Sequence, residues 1–195
     1  MSFSEAERER IAERLLAAGR ERFSRYGLSK TTVAELADDA GIATGTFYRF
    51  FDSKAGLYRA VLDAEGERVA SEVLPPLSND DPEAGLREFL DRVCTEIETN
   101  PLTRTLLVGD GYDDLLAATD AAEREAAREA DLAFLTPFVE RHADRLPDAD
   151  AETVAGAIRA ATFVTLHREE VGDRYPAVRD LLLDSVARGL VREAS

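Results

Sequence analysis

Residues 41–51 read GIATGTFYRFF, and the two faces of this run decide the fold of the first third of the chain. Phe47, Tyr48, Phe50 and Phe51 stand beside one arginine, Arg49, and several small or hydroxyl residues. Phe47 and Tyr48 are adjacent and cannot point the same way, so one face of the run is core and the other is turned outward. Ala37, Gly41 and Phe47 then fit a helix-turn-helix. A small residue is needed where the two helices approach, a glycine where the turn requires positive φ, and a hydrophobe where the second helix meets the first. With Phe47 facing inward and Phe50 and Phe51 bracketing it, Thr44, Thr46, Tyr48 and Arg49 project outward. Their hydroxyls, phenol and guanidinium can bond phosphate oxygens and base edges, and Gly45 lets the backbone come close. That outward face suits the major groove of duplex DNA.

The rest of the chain predicts an all-α fold, since apolar residues recur at three and four positions and no alternating β pattern appears. A first helix carries Ile11, Leu15, Ala18, Phe23 and Tyr26 on one face and Arg8, Arg14, Arg20 and Arg25 on the other. Ser4 and Glu7 open it as a capping box and Gly27 closes it. A second, short helix starts at Thr32 with Glu35 as its capping partner and stops at Gly41; a third runs from Thr44 to about Phe50. Ser53 caps a fourth, through Leu57, Tyr58, Val61 and Leu62. Beyond Pro75-Pro76, Asp81-Pro82 opens a helix through Leu86, Phe89, Leu90, Val93 and Ile97 that ends at Asn100-Pro101. A long helix from near Asp113 to His142 is expected to kink at Pro137, and two more span about 151–169 and 176–192. About nine helices are expected in all.

Composition divides the chain. Residues 1–65 hold 10 Lys/Arg against 11 Asp/Glu and eight of the fourteen Phe and Tyr residues, whereas the remainder holds 14 against 28. The excess of acid thus lies beyond residue 65, which predicts two domains, 1–65 and 66–195, with two tasks. The whole chain, at −15, has only two lysines, Lys30 and Lys54. An acid-rich, lysine-poor surface is expected of a protein kept soluble in concentrated salt, hence of a halophilic microbial source. No apolar run approaches the roughly 18 residues of a membrane span, the first residues are too polar for a signal peptide, and Cys94 is alone. A cytoplasmic protein is expected.

The segment TTVAELADDAGIATGTFYRFFDSKAGLYRAVL resembles the DNA-binding domain of the tetracycline-repressor-like (TetR) family of transcriptional regulators, over roughly residues 8–62. The threonine cap, the A-x-x-x-G turn, G-T-F-Y and F-x-S-K carry the resemblance together. It implies that Thr31 and Thr32 meet backbone phosphate, that Thr44, Gly45, Thr46, Tyr48 and Arg49 enter the groove, and that Lys54 sits against phosphate. Two positions depart from the family: Thr44 stands where a lysine is frequent and Asp52 where a proline is. The resemblance further implies a larger C-terminal helical domain that dimerises and binds a small molecule, and a repressor released from a palindromic operator. No cofactor, metal or catalytic residue is expected.

Phe89, Val93, Leu107, Tyr112, Phe134, Phe138, Phe163 and His167 lie on the helices that would enclose the effector, and their aromatic character suits a mostly apolar molecule. The dimer is expected as a four-helix bundle through Val154, Ile158, Ala161 and Thr165, with Val178, Leu182, Val186 and Leu190 on the last helix. Gly156, Ala157 and Ala160 would permit close approach. His142 is expected to be a solvated helix cap. Two other function classes compete: a metal-dependent hydrolase using the aspartates of 110–114, and a nucleoid-type structural protein. The first lacks a supporting Ser, Cys or His arrangement, and the acidic remainder of the chain would repel neighbouring DNA in the second.

Overall fold

The computed structural model describes residues 4–108 and 133–192, which contain helices and no strand. They fall into two compact units, one of residues 4–69 and 100–108 and the other of residues 70–99 and 133–192.

In the first unit, α1 (Glu5–Lys30) is capped by Ser4, whose side chain accepts from the Glu7 N–H at 3.3 Å, and its helical backbone breaks at Gly27 (φ 72°). The capping box of α2 (Val33–Asp39) is complete: Thr32 and Glu35 each satisfy the other's backbone N–H. The turn to α3 (Thr44–Phe47) passes through Gly41 at φ 66°, a left-handed conformation that a side chain would strain. Hydrogen bonding after Phe47 tightens, with the N–H groups of Arg49 and Phe50 bonding three residues back, to Thr46 and Phe47. The third helix is therefore shorter than Thr44 to Phe50, its end drawn into a 3₁₀-like turn. Ser53 caps α4 (Lys54–Val73) through the Gly56 N–H at 3.0 Å. Ile11, Leu15, Phe23, Leu36, Phe47, Leu57 and Val61 form the core. Leu102 of α6 (Pro101–Val108) joins them, so α6 packs on α1 in this unit although it lies well beyond residue 65 in sequence.

In the second unit, a 3₁₀ turn (Pro75–Ser78) precedes α5 (Pro82–Thr99). Asp81 caps α5 through the N–H groups of Glu83 and Ala84, with Pro82 at the first helical position, where its missing donor costs nothing. Gly85 allows α5 to lie against the turn. A Cβ there would stand 2.5 Å from the Pro76 carbonyl oxygen. The described elements then continue as α7 (Thr136–Arg141), α8 (Ala151–Ala161), α9 (Arg168–Val171) and α10 (Tyr175–Leu190). Arg87 joins α5 to Asp184 of α10, and Arg179 reaches back to Asp91 and Thr95.

Four expectations need correction here. Pro137 lies in the first turn of α7, preceded by a turn at Phe134–Leu135, so it begins a helix and does not kink one. The span 151–169 is not one helix. After Ala161 it tightens into a 3₁₀ run (Thr162–His167), where the Thr162 and Thr165 hydroxyls donate to the carbonyls of Arg159 and Thr162. His142 is no solvated cap: it is buried against Phe138 with its Nε2 unpartnered, and burial with Arg141 and Arg145 nearby pushes its pKa down. Finally, Val154, Ile158, Ala161 and Thr165 are buried within the chain itself, and α8 packs on α7 and α10. A stripe already covered by its own unit cannot face a partner.

Candidate nucleic-acid interface

The geometry of residues 44–49 follows from the burial of one ring. Phe47 is fully buried, meets Phe51 at 6.1 Å and Tyr48 edge-on at 5.4 Å, and so fixes the rotation of α3. Thr44, Gly45 and Arg49 are thereby exposed, Thr46 is half-buried and Tyr48 is 56% exposed. The described chain thus presents a hydroxyl, a bare backbone stretch, a phenol and a guanidinium together on the side of α3 opposite the core.

The α2 end is held by charge. Arg22 of α1 donates through Nε and Nη2 to Asp39 and through Nη1 to Glu35 at 3.0 Å. Hydrogen bonds from Thr32 hold the Glu35 carboxyl below its ordinary pKa, and the Arg22 guanidinium does the same for Asp39. These bonds fasten α2 to α1 and so set the height at which α3 is presented.

Three residues expected at phosphate have other partners. Thr31 is buried and its hydroxyl donates to the Gly27 carbonyl at 2.8 Å, which corrects its expected role. The break at Gly27 frees that carbonyl, and Thr31 satisfies it. The exposed Thr32 hydroxyl donates to Glu35 at 2.7 Å while capping α2. Lys54 Nζ donates to the Thr31 carbonyl at 2.6 Å, tying the start of α4 to the end of α1 and leaving two donors.

A group that sequence reasoning missed lies elsewhere in the same unit, between α1, α4 and the start of α6. Glu65 of α4 is 7% exposed and accepts from Arg20 of α1 at 2.6 Å, from Arg68 at 2.7 Å and from the buried Asn100 at 2.6 Å. The Arg20 hydrogen bond foremost, against burial and with help from Arg68 and Asn100, holds its pKa at about 2. Asn100 in turn accepts from the N–H groups of Leu102 and Thr103, capping α6. Nothing in the polar run around Glu65 signals this, because its partners lie 45 and 35 positions away.

The residues expected to line a cavity are split. Phe89 and Phe138 are buried, Val93 is half-buried, and the Phe89 and Phe134 rings meet at 6.4 Å, though Phe134 stays 41% exposed. Phe163 is 45% exposed, and His167 is exposed with its Nδ1 against Glu170, so the described residues enclose neither. The Leu107 side chain, Tyr112 and the aspartates of 110–114 lie outside the described residues. Among the described residues no cluster of three or more His, Cys, Asp or Glu side chains could hold a metal, and no helix is long and apolar enough to cross a membrane.

Residues 15–61 match the family described as bacterial regulatory proteins, tetR family. That match spans α2 and α3 with the parts of α1 and α4 that flank them. Its sequence is 29% identical over 102 residues to TtgR, an HTH-type transcriptional regulator of Pseudomonas putida, a match covering 51% of this chain and 49% of TtgR. The chain thus spans about half the length of the curated relatives it matches. In fold the whole chain is similar to NalD of Pseudomonas aeruginosa, described as the secondary repressor of the MexAB-OprM multidrug efflux pump (TM-score 0.65, 23% identity, 96% of this chain and 100% of that one). It is also similar to RolR solved in complex with resorcinol (TM-score 0.58, 21% identity, 98% of this chain and 92% of that one). At these identities the likeness shows the fold: a TetR-type helix-turn-helix followed by a helical domain.

Proposed function

We propose that this chain is a ligand-responsive, sequence-specific DNA-binding regulator of the TetR type, and that it acts as a repressor released from a palindromic operator. The exposed face of α3, held by buried Phe47, is the observation that carries the reading. Thr44, Gly45, Thr46, Tyr48 and Arg49 read the major groove; Thr32 and Lys54 lie at its edge, each already bonded within the chain. Residues 1–65 supply this function and residues 66–195 sensing and dimerisation. Repression takes its support from NalD, a repressor, and a small, mostly apolar effector from the resorcinol bound to RolR. Phe89, Val93, Phe134 and Phe138 are the described residues that would meet such a molecule. An effector lowers operator affinity only by binding the non-DNA conformation more tightly, a coupling of roughly 1–3 kcal/mol in typical cases.

Arg49→Ala is expected to cost about 1–3 kcal/mol of operator affinity and to relax preference at one base pair per half-site. Titrating cognate and scrambled duplexes in parallel checks this; equal losses on both would refute base readout by Arg49.

The dimer is proposed through the face that α8 and α10 leave open. Ala157, Ala160 and Phe163 are exposed on one side, and Val178 and Leu181 are 39% and 70% exposed on the other, with Leu182, Val186 and Leu190 half-buried beside them. A second copy of the chain would cover these groups, small residues admitting close helix approach. Leu181→Arg should therefore give folded monomers in sedimentation; a variant that still dimerises would place the interface elsewhere.

The acidic, lysine-poor composition further supports a protein suited to concentrated salt. Its melting temperature is expected to rise between dilute buffer and molar KCl, and precipitation in molar KCl would contradict this.

A further inference from the structure

We propose that Arg8 and Arg14 of α1 are phosphate-contacting residues that flank α3 and widen the DNA footprint beyond the helix-turn-helix. The inference rests on the DNA-binding reading above and concerns residues that reading does not use.

The structure sorts the arginines of α1. Arg20 is held by Glu65, Arg22 by Glu35 and Asp39, and Arg25 by Glu21 at 3.3 Å, while Arg10 donates to the Ala6 carbonyl at 3.1 Å. Arg8 and Arg14 form no ion pair among the described residues, in a helix that contains five glutamates. Both instead lie against the two ends of the recognition segment. The Arg8 guanidinium sits 5.4 Å from the centre of the Phe50 ring, three residues past α3. The Arg14 Nη1 lies against the Gly41 turn, 3.4 Å from where a Cβ on that glycine would stand, three residues before α3. Both residues are exposed.

Two arginines thus bracket the surface offered to the groove, each propped on a rigid neighbour. A guanidinium stacked on an aromatic face keeps its edge donors free for a phosphate oxygen, and the prop limits the rotamer entropy given up on binding. The placement also meets a need of this sequence. Lys54 is partly engaged, Thr31 is buried, and the unit is close to neutral, so the positive charge that any duplex requires has to come from elsewhere. Phosphate-bonding arginines position the protein without reading bases, so removing them should weaken all sequences alike.

The test uses the full chain and a fluorescein-labelled 30-bp duplex of scrambled sequence, with affinity measured by anisotropy between about 50 and 200 mM KCl, the range in which phosphate neutralisation shows. Arg8→Met and Arg14→Met keep most of the side-chain length. Each should lower the slope of log affinity against log salt by about 0.9 for every phosphate that the arginine neutralises. Arg25→Met, whose arginine is paired with Glu21, should leave the slope as it was. Arg8→Lys and Arg14→Lys keep the charge and should keep the slope. An unchanged slope in the Met variants overturns the inference. So does an equal fall of the slope in the Lys variants, since that would mark a packing role against Phe50 and Gly41. A wild-type chain that binds no duplex at any of these salt concentrations would instead overturn the DNA-binding reading itself, before the variants are compared.

Discussion

Phe47→Ala should destabilise the first unit by about 3–5 kcal/mol, the range for truncating a fully buried phenylalanine, and abolish DNA binding with it. The ring has no solvent exposure and touches both Tyr48 and Phe51. Its removal leaves a cavity between α3 and the core of Leu36, Leu57 and Leu15, which α3, a single turn long, cannot close by shifting without turning its outward face. Urea denaturation followed by far-UV circular dichroism measures the loss. Phe47→Leu, which refills most of the volume, should recover a large part of it. A variant with wild-type midpoint would mean that the rotation of α3 is set by something other than this ring.

The second large effect is expected at Glu65. Its pKa of about 2 lies well below the ordinary glutamate value, a difference that stands for roughly 3 kcal/mol of stability at neutral pH. Because the folded state holds this carboxylate deprotonated more tightly than the unfolded chain does, the contribution is complete above about pH 5. It fades as the pH falls from there towards 2. Glu65→Gln keeps the shape and removes the negative charge that Arg20 and Arg68 pair with, and it weakens the acceptor for Asn100. It should cost about 2–4 kcal/mol at pH 7 and flatten the acid limb of the stability curve. Equal acid limbs for the two proteins in equilibrium unfolding between pH 7 and pH 3 would show that Glu65 is not the group responsible.

The local punctuation of the chain was legible. Ser4, Thr32, Ser53 and Asp81 cap the helices they precede, and Gly27 and Gly41 stand where the backbone leaves the helix, because capping and positive φ depend on one residue and its near neighbours. The two faces of residues 44–49 were legible for the same reason, since adjacent residues on a helix cannot share a side. What the sequence left open depends on distant partners. The threonines at 31 and 32 look alike in sequence, yet the first is buried beneath the Gly27 carbonyl and the second is exposed at a cap. The periodicity of Val154, Ile158 and Ala161 marks an apolar face but does not say whether the chain's own helices or a partner cover it; here its own do. Glu65 sits in a polar run and shows its importance only when α1 and Asn100 are brought to it. Arg8 and Arg14 resemble the other arginines of α1 until the carboxylates that hold Arg20, Arg22 and Arg25, and the carbonyl that holds Arg10, are seen.

The exposed face of α3 is proposed to read a DNA sequence. Selection from a random duplex library by the full chain, with the bound fragments sequenced, tests it most directly. Enrichment of an inverted repeat is expected, its half-sites about one helical turn or a multiple apart, with Arg49→Ala selecting the same repeat with one position per half-site relaxed. Fragments indistinguishable from the starting library, recovered from protein shown to be folded, would contradict it.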